Sequence, residues 1–439
     1  MKIIEGFKSA KSALNRQTPA EFYSVSPALG QRLKEMFGTD DPEQAVRQII
    51  NEVRNRKDAA LFDYTLKIDG IKLTSLEVGK TQIASAYQEV DSELVSALKL
   101  AAERIRSFHL AQKDSIWGGV AKLDGQLIRP LERVGIYIPG GTACYPSTVL
   151  MTAIPARVAG VREIIMVTPP QAQGSASLLT LVAADIAQVD RIFCVGGAQA
   201  IAALAFGTES IPRVDKICGP GNIFVVLAKK MVYGMADIDG LQGPSEVVII
   251  ADETANPDYC AADLIAQAEH DPLASAILIT TSSRLAEKVN REVEQQLYHL
   301  PRQAIAAECL ESKGKIVVVS NLDEAIELAN LYAPEHLCLM VDRATSCIDK
   351  VSNAGCIFIG ENSTVALGDY VAGPSHALPT GGTARFSSPL GITTFIKFIN
   401  MVNIDEGDLK QLGRAASVIA RAEGFEAHAR AVEKRLKTI

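Results

Sequence analysis

The most constraining feature of this sequence is a pattern that repeats from about residue 130 onward. A short run of β-branched and other apolar residues ends in Gly, Pro or Asp, and a stretch with helical character follows. This alternation is typical of βαβ units. The predicted strands are Val134–Ile138, Glu163–Thr168, Arg191–Val195, Asp215–Cys218, Val247–Ala251, Ala276–Thr280, Lys315–Val319, Leu337–Val341 and Cys356–Ile359. Because these runs are continuously apolar, the sequence predicts parallel strands that are covered on both faces.

The remaining parts of the chain are predicted to be mostly helical. Asp41–Arg56 and Ser92–Leu110 carry apolar residues three and four apart, with charged residues between them. Asp405–Ile439 is a further charged, amphipathic helical region, which would either cap the fold or pack on a partner subunit. The Gly- and Pro-rich segment Gly373–Gly391 is predicted to be a loop.

Size and charge narrow the class of protein. The chain has 439 residues, of which 48% are hydrophobic, so two main domains are expected. Its formal net charge of -7 argues against nucleic-acid binding, because phosphate neutralisation needs clustered Lys and Arg. No stretch reaches the roughly 18 apolar residues of a membrane span. A small-molecule partner is therefore expected, with no nucleic acid and no membrane.

The beginning of the chain and the cysteines indicate the compartment. Residues 1–11 mix charges into every apolar run, unlike a signal peptide. The eight cysteines are scattered singly, without a C-x-x-C pair. A reducing cytoplasm is therefore expected.

Four polar residues are candidate metal ligands. Gln267 and His270 are three residues apart near the end of a predicted helix, so they would share a face. Asp369 follows the last predicted strand, where α/β sheets commonly present functional loops, and His428 lies in the tail. Two imidazoles, a carboxylate and an amide oxygen would suit Zn²⁺ and would also accept Mn²⁺. A polar helix end, a turn aspartate and a solvent-facing histidine are the alternative interpretations.

Glu335 and His336 form a candidate acid and base pair. They follow a helix and Pro334, and they stand immediately before an apolar strand. Adjacent residues entering a strand point to opposite sides, so both would border one cleft only if the backbone is still turning there. Histidine is well suited to accept an alcohol proton near neutral pH, and glutamate can activate water.

Two glycine turns indicate a cofactor. Val195-Gly196-Gly197 and Cys218-Gly219-Pro220-Gly221 each follow a predicted strand and precede a helix. This arrangement brings backbone N–H groups to a phosphate. Neither turn completes G-x-G-x-x-G, since Phe224 stands where the third glycine belongs, so tight packing turns remain the alternative.

Several sequence blocks, in one order, resemble the histidinol dehydrogenase family across nearly the whole chain. The blocks are Gly135–Ala143 (GIYIPGGTA), Gly196–Leu204 (GGAQAIAAL), Gly219–Ile223 (GPGNI), Gly243–Val247 (GPSEV), Gln267–Asp271 (QAEHD), Ala333–Leu337 (APEHL) and Gly368–Pro374 (GDYVAGP). The chain departs from the family at Gly240-Leu241-Gln242, where Met-Pro-Ala is frequent, and at Cys338, where an acidic or polar residue is frequent.

The resemblance implies roles for individual residues. The implied ligands of one Zn²⁺ per subunit are Gln267, His270, Asp369 and His428. The implied catalytic pair is Glu335 and His336. The implied NAD contacts are Tyr137, Gln199 and Asn222. The implied substrate residues are Ser245, Gln267, His270, His336, Asp369, Glu423 and His428. His376 is expected near the site, and a structural role for it stays open.

The resemblance also implies the reaction and the assembly. The expected reaction is the oxidation of L-histidinol to histidinal and then to L-histidine, with two NAD⁺. The family is an intertwined homodimer whose tail crosses over, so Glu423 and His428 would serve the partner's active site. A relative that oxidises another small alcohol, such as a sulfonated diol, is one alternative. A zinc hydrolase in which Glu335 activates water is another.

The expected fold is α/β, with two incomplete Rossmann-like, parallel-sheet domains and small helical extensions at both ends. The expected divisions are an N-terminal helical extension (1–29), a first α/β domain carrying the metal and catalytic residues (30–134 plus 247–390), a second α/β domain that contacts NAD (135–246), and a C-terminal helical arm that crosses the dimer (391–439).

Overall fold

A computed structural model of the chain describes residues 1–16, 26–120, 125–140, 144–298 and 300–438. The end of the Gly135–Ala143 block and part of the expected N-terminal extension lie outside the described residues. The chain forms two units: residues 1–113 and 130–396 make the first, and residues 114–129 and 397–439 make the second. No helix in the described ranges is both long enough and apolar enough to cross a membrane.

The first unit contains a six-stranded parallel sheet, in the order β1-β10-β9-β8-β11-β12. Its strands are β1 (Lys2–Glu5), β8 (Glu246–Ala251), β9 (Ser275–Thr280), β10 (Lys315–Val318), β11 (His336–Met340) and β12 (Cys356–Ile359). In the register of the central strands, His336 pairs with Val247 on one side and with Cys356 on the other. Glu246 and His336 therefore both lie where their strands begin.

The same unit contains a five-stranded parallel sheet, in the order β5-β4-β3-β6-β7. Its strands are β3 (Arg133–Tyr137), β4 (Glu163–Thr168), β5 (Arg191–Cys194), β6 (Lys216–Cys218) and β7 (Asp237–Ile238). The chain order of this sheet reverses between β3 and β6, the type of position at which open α/β sheets bind ligands beyond their carboxyl ends.

Helices connect and cover these strands. They are α1 (Phe7–Ala13), α2 (Pro27–Phe37), α3 (Pro42–Arg56), α4 (Asp58–Tyr64), α5 (Lys80–Glu89), α6 (Ser92–Val120), α7 (Pro146–Ala159), α8 (Leu178–Ile186), α9 (Gly197–Phe206), α10 (Ile223–Val232), α11 (Pro257–Ala268), α12 (Ser283–Leu297), α13 (Gln303–Ser312), α14 (Leu322–Tyr332) and α15 (Val365–Tyr370). A π-helical turn, Thr65–Asp69, follows α4, and 3₁₀ turns occupy Ala344–Lys350, Thr383–Arg385 and Ile392–Phe395.

Strand β8 shows why the strands are continuously apolar. Its first residue, Glu246, is a buried carboxylate, and its other five residues are apolar and buried. Val247, Ile249 and Ala251 pack in one core cluster with residues of α11, α12 and α13. Val248 and Ile250 point the other way and pack with residues of α1 and α14. Since successive side chains of a strand point to opposite faces, a strand with helices on both sides needs an apolar residue at every position.

The predicted α/β class with parallel sheets is confirmed. Each of the predicted strands is present, with ends that differ by at most one residue. The sequence did not indicate β1, because Ile3 and Ile4 are too short an apolar run between charged residues. Helix α6 extends beyond the predicted Leu110, to Val120.

The second unit consists of a strand pair and a helical hairpin. Strand β2 (Gln126–Pro130) pairs with β13 (Ile396–Asn400). Helices α16 (Glu406–Ala422) and α17 (Glu426–Leu436) pack through small residues, and Ser417 donates a hydrogen bond to the carbonyl of Gly413. Arg421 joins the two helices by ion pairs to Glu426 and Glu433. The predicted helical character of the tail is confirmed, as a hairpin rather than one rod.

We expect Gly219→Ala to destabilise the first unit far more than the matched change Gly234→Ala. Both glycines have left-handed backbone angles, φ 111° and 97°, so alanine costs about 1–2 kcal/mol at either position. A Cβ at Gly219 would also collide with the backbone carbonyl of Tyr137, whereas a Cβ at Gly234 would meet open space. That collision adds about 1–3 kcal/mol. Thermal unfolding of both variants measures the difference, and equal melting temperatures would contradict the expected collision.

Candidate functional site

Glu335 and His336 are presented by a turn between α14 and β11. Helix α14 ends at Tyr332, its C-cap residue Ala333 has the left-handed angle φ 51°, and Pro334 prevents the helix from continuing. The carbonyls of Pro334 and Glu335 accept hydrogen bonds from the backbone N–H groups of Gly355 and Cys356. The turn is therefore held on the edge of β12, and both side chains are nearly fully buried.

The peptide groups of one residue, Glu246, hold both side chains of the pair. The backbone N–H of Glu246 donates to Glu335 Oε2 over 2.8 Å. The backbone carbonyl of Glu246 lies 2.9 Å from His336 Nδ1. Since a carbonyl oxygen only accepts, Nδ1 carries a proton in both the neutral and the protonated imidazole, and Nε2 is the nitrogen that gains or loses one. His336 Nε2 is buried without a hydrogen-bond partner among the described residues, so it is open to exchange a proton with a bound molecule.

Burial and neighbouring charges raise the pKa values of both side chains of the pair. Burial raises the pKa of the Glu335 carboxyl well above its ordinary value, although His336 and the Glu246 amide act in the opposite direction. Burial alone would lower the pKa of His336, but the carboxylates of Glu335 and Asp369 outweigh it and raise that pKa. A pair with shifted pKa values of this kind is suited to accepting and returning protons.

Asp369 faces the same imidazole. Its Oδ1 lies 3.6 Å from His336 Nε2, too far for a hydrogen bond. Burial would raise the pKa of Asp369, but His336, His376 and His270 hold it below its ordinary value. His336, Asp369 and His376 line one cavity of about 230 Å³. Asp369 is therefore an ionised carboxylate among imidazoles.

His376 forms a hydrogen bond with the backbone of Asp369. Its Nδ1 lies 2.9 Å from the backbone carbonyl of Asp369, so Nδ1 is the donor. Its Nε2 then accepts from the hydroxyl of Thr148, 3.2 Å away, in the first turn of α7. These contacts link the metal candidate Asp369 to the helix that follows β3, and they favour the structural role of His376 that the sequence left open.

Gln267 has a side-chain amide that is available to bind a metal ion. It is nearly fully buried in the last turn of α11, and neither its Oε1 nor its Nε2 has a hydrogen-bond partner among the described residues. Helix α11 ends at Ala268, two residues before His270, so the predicted position of this pair near a helix end is confirmed and their shared face stays a prediction. A 3.4 Å hydrogen bond from the His270 N–H to the Gln267 carbonyl turns the chain there. His270 acts electrostatically on Asp369, so the three residues belong to one neighbourhood.

These residues fit a cation, although they do not form a finished site on their own. Within the described ranges, no group of three or more His, Cys, Asp or Glu residues is placed to hold a metal ion. The first unit supplies the ionised Asp369, the imidazole of His270 and the partnerless amide of Gln267. Carboxylate, imidazole and amide oxygen are donors that Zn²⁺ accepts, and such a set needs a further ligand for four-coordination.

The position of this neighbourhood differs from the usual expectation for α/β sheets. Glu246 and His336 lie at the amino ends of β8 and β11. Because a helix that follows a parallel strand runs back toward the sheet edge where the strand began, the last turns of α11 and α15 reach the same edge. Asp369 thus lies at the amino ends of the strands, and the prediction that it occupies a loop at a carboxyl end was wrong.

The candidate cofactor residues lie at the carboxyl edge of the five-stranded sheet. Tyr137 ends β3, and its hydroxyl accepts a hydrogen bond from the N–H of Gly197 over 3.2 Å. Gln199 is buried in the first turn of α9, and its amide atoms lack partners among the described residues. Asn222 caps α10 by accepting from the N–H groups of Phe224 and Val225. The two glycine turns thus begin helices, as the sequence predicted.

A buried ion pair that sequence reasoning missed holds the second glycine turn. Lys229 and Asp239 are each about 1% exposed and are paired with each other. Lys229 Nζ also donates to the carbonyl of Gly219 and to Gln242 Oε1, both over 3.0 Å, and Asp239 Oδ2 accepts from the Gly219 N–H over 2.7 Å. A lysine seven positions into an apolar helix was the available signal, since buried lysine is rare unless paired.

The remaining candidates are distributed over both units. Ser245 directly precedes β8, half-buried, and its carbonyl accepts from the Ser275 N–H. Glu423 and His428 lie in the second unit and are exposed. Glu423 ends α16, and His428, in the first turn of α17, lies with its ring centroid 5.3 Å from that of Phe425.

Comparison with known proteins gives one result. The histidinol dehydrogenase family model matches residues 34–436. Histidinol dehydrogenase of Dehalococcoides mccartyi strain CBDB1 is 58% identical over 438 residues, covering 100% of both chains. That of Syntrophotalea carbinolica is 50% identical over 400 residues, covering 90% of this chain and 93% of the relative. The crystal structure of histidinol dehydrogenase from Elizabethkingia anophelis superimposes with a TM-score of 0.89 at 36% identity, covering 100% of this chain and 98% of that one.

Proposed function

Because this chain belongs to the histidinol dehydrogenase family, we propose that it oxidises L-histidinol through histidinal to L-histidine, with two NAD⁺. The observation that carries the proposal is the buried His336 imidazole, whose Nδ1 is fixed by the Glu246 carbonyl and whose Nε2, beside Asp369, has no hydrogen-bond partner in the described part of the chain. An oxidoreductase that acts on an alcohol needs a base that is held in place and has one atom open to accept the hydroxyl proton.

His336 takes the hydroxyl proton of the alcohol. The proton goes to Nε2, because the Nδ1–H is already donated to the Glu246 carbonyl. The imidazolium that results lies 3.5 Å from Glu335 Oε2 and 3.6 Å from Asp369 Oδ1, so two carboxylates stabilise its charge. NAD⁺, when bound, accepts one hydride in each of the two oxidations.

Glu335 serves the second oxidation. Its carboxyl is buried, and one oxygen is held by the Glu246 N–H. Burial makes it a stronger base than an exposed glutamate, because its pKa is raised. It takes a proton from the water that adds to the aldehyde, and the hydrate then loses its hydroxyl proton to His336 as the alcohol did.

The residues proposed to hold Zn²⁺ are Gln267, His270, Asp369 and His428, with one ion per subunit. These four residues would hold the ion, which would supply a positive charge that orients the imidazole and amino nitrogens of the substrate. The partnerless amide of Gln267 and the ionised state of Asp369 support this assignment. Ser245 and Glu423 complete the proposed substrate contacts.

The proposed NAD contacts are Tyr137, Gln199 and Asn222. Tyr137 ends β3, Asn222 follows the neighbouring strand β6, and Gln199 follows β5, which β4 separates from β3. Helices α9 and α10 begin at Gly197 and Ile223, beside Gln199 and Asn222. Backbone N–H groups at a helix N-terminus favour a phosphate, and the unpartnered Gln199 amide supplies both a donor and an acceptor.

We propose a homodimer with shared active sites, in which the partner's second unit supplies His428 and Glu423. The second unit leaves many large apolar side chains exposed, Phe398, Val402, Ile419 and Phe425 among them, with Val402 85% exposed. So many exposed large apolar side chains in one unit favour a protein interface. All eight cysteines are free thiols, which supports a cytoplasmic location.

We expect about two NADH per L-histidinol consumed at saturating NAD⁺, because the alcohol and the aldehyde are oxidised in turn. Absorbance of NADH, with L-histidine measured by chromatography, gives the ratio. A sulfonated or simple diol is the control substrate and should turn over slowly. Faster turnover of the diol would indicate a relative with another substrate. Hydrolysis of an ester or amide substrate without NAD binding would indicate a hydrolase.

We expect Glu335→Gln to slow oxidation of histidinal far more than oxidation of L-histidinol, by about 10²-fold or more, since an amide cannot take a proton from water. His336→Ala should slow both steps, because both release a hydroxyl proton. Stopped-flow measurement of NADH with each substrate separates the two steps. Equal losses in both steps with Glu335→Gln would contradict the division of roles.

We expect a heterodimer of His270→Ala and His428→Ala subunits, purified with two different tags, to keep about half of the wild-type activity and about one Zn²⁺ per dimer. One of its sites then combines an intact first unit with an intact partner tail, and the other lacks both imidazoles. Each variant homodimer is the control and should be inactive and zinc-poor. An inactive, zinc-free heterodimer would show that each site is built from a single subunit.

A further inference from the structure

Arg16 and Glu246 form a second ion pair, and Glu246 is the residue whose backbone holds Glu335 and His336. Arg16 follows α1, and Glu246 begins β8, 230 residues later. The guanidinium is bidentate: Nη1 lies 2.5 Å from Glu246 Oε1 and Nη2 lies 2.7 Å from Oε2. Its third donor position, Nε, donates to the carbonyl of Tyr332 over 2.7 Å, and its plane lies over the Tyr332 ring, 3.7 Å from the centroid.

The Glu246 carboxylate needs this partner. Its side chain is about 5% exposed, and a buried carboxylate without a counter-charge is strongly unfavourable. Besides Arg16, it accepts one hydrogen bond from the N–H of Gly381, over 3.1 Å. A Cβ at Gly382 would meet the Arg16 side chain at 3.0 Å, so this loop also packs tightly on the guanidinium.

The segments that Arg16 joins are the two that carry the catalytic pair. Glu246 holds Glu335 and His336 through its N–H and its carbonyl. Tyr332 is the last residue of α14, from which the turn to Glu335 begins. One guanidinium thus fixes the start of β8 through the Glu246 side chain and the start of the turn through the Tyr332 carbonyl.

We propose that Arg16 is a positioning residue for the oxidation: it sets the Glu246 peptide groups against the Tyr332–His336 turn, so that Glu335 and His336 keep their working orientation. The proposal rests on the catalytic roles assigned above to those two residues. Arg16 is suited to the task because its planar fork satisfies two carboxylate oxygens and a carbonyl at once, which a lysine ammonium cannot reproduce in this geometry.

A role in stability alone predicts a different result from a role in positioning. If Arg16 only closes the N-terminal segment onto the sheet, its loss lowers the melting temperature but leaves kcat per folded site unchanged. If Arg16 positions the pair, kcat falls in the folded fraction, since a displacement of about 1 Å at a reacting group costs about 10²-fold. The KM for NAD⁺ and the zinc content stay unchanged, because Arg16 contacts neither proposed site.

The test compares Arg16→Lys and Arg16→Gln with Lys11→Gln as a matched control. Lys11, on α1, pairs with Glu327 on α14 over 3.5 Å, and both side chains are more than half exposed. The control therefore removes a cation that joins the same two parts of the chain without touching Glu246. We expect kcat with L-histidinol to fall about 10-fold in Arg16→Lys and about 10²-fold in Arg16→Gln, and to stay within twofold of wild type in Lys11→Gln.

Hydrogen exchange gives a readout that does not depend on activity. The Glu246 amide is bonded to Glu335, so its exchange, measured by mass spectrometry on peptides spanning residues 243–251, should accelerate in Arg16→Gln and not in Lys11→Gln. A wild-type kcat per folded, zinc-loaded site in Arg16→Gln overturns the proposal, whatever the melting temperature, and so does unchanged exchange. If wild-type protein forms no NADH from L-histidinol while the exchange difference is present, the proposed reaction fails and the anchoring by Arg16 stands.

Discussion

Both large sheets are parallel, and this constraint determines where polar groups can converge. A parallel strand must be followed by a connection that returns to the starting edge, and here helices make most of these returns. Helices therefore begin at the carboxyl ends of the strands of each sheet and end at the amino ends.

The five-stranded sheet presents Tyr137, Gln199 and Asn222 where helices begin. The six-stranded sheet presents Gln267 and Asp369 where helices end, beside the first residues of β8 and β11. Helix starts carry partial positive charge and suit a phosphate-bearing cofactor, whereas helix ends carry partial negative charge and suit a cation.

An ion pair fixes the backbone near each of the two proposed sites. Lys229 and Asp239 hydrogen-bond to the carbonyl and the N–H of Gly219, and Arg16 holds the carboxylate of Glu246, whose N–H and carbonyl hold the proposed catalytic pair. In each case an ion pair fixes a short stretch of backbone. Buried pairs of this kind add little net stability, because desolvation offsets attraction. Their directional hydrogen bonds nevertheless restrict the conformation of a loop far more tightly than apolar packing does, and a proton transfer or a hydride transfer needs that restriction.

Local pattern was enough to predict most of the secondary structure. Continuous apolar runs located the strands, because two covered faces leave no polar position, and the Pro334 break located the turn before His336. Features that depend on contacts between distant parts of the chain could not be predicted from local sequence pattern. The helix that carries Gln267 stops at Ala268, and a hydrogen bond between backbone groups places His270, which periodicity does not encode. Asp369 reaches the amino edge because α15 runs back from the carboxyl end of β12, and local pattern does not show where that return ends. Arg16 is one cation in a polar stretch of sequence, and only the folded chain shows that its partner stands 230 residues away. The family resemblance supplied the roles of the site residues, which spacing alone left open.

Polar groups that folding leaves without partners are concentrated at the proposed ligand sites. In the described part of the chain, the buried side-chain atoms that lack hydrogen bonds belong to Thr65, Asp69, His109, Arg157, Gln199, Gln267 and His336. A buried atom of this kind costs about 1–3 kcal/mol unless water or a ligand supplies a partner. The proposed cofactor, cation and substrate hydroxyl would offer partners to both amide atoms of Gln199 and of Gln267 and to His336 Nε2. Five of the nine atoms thus belong to residues that the proposed chemistry uses, and the other four, on Thr65, Asp69, His109 and Arg157, lie outside it.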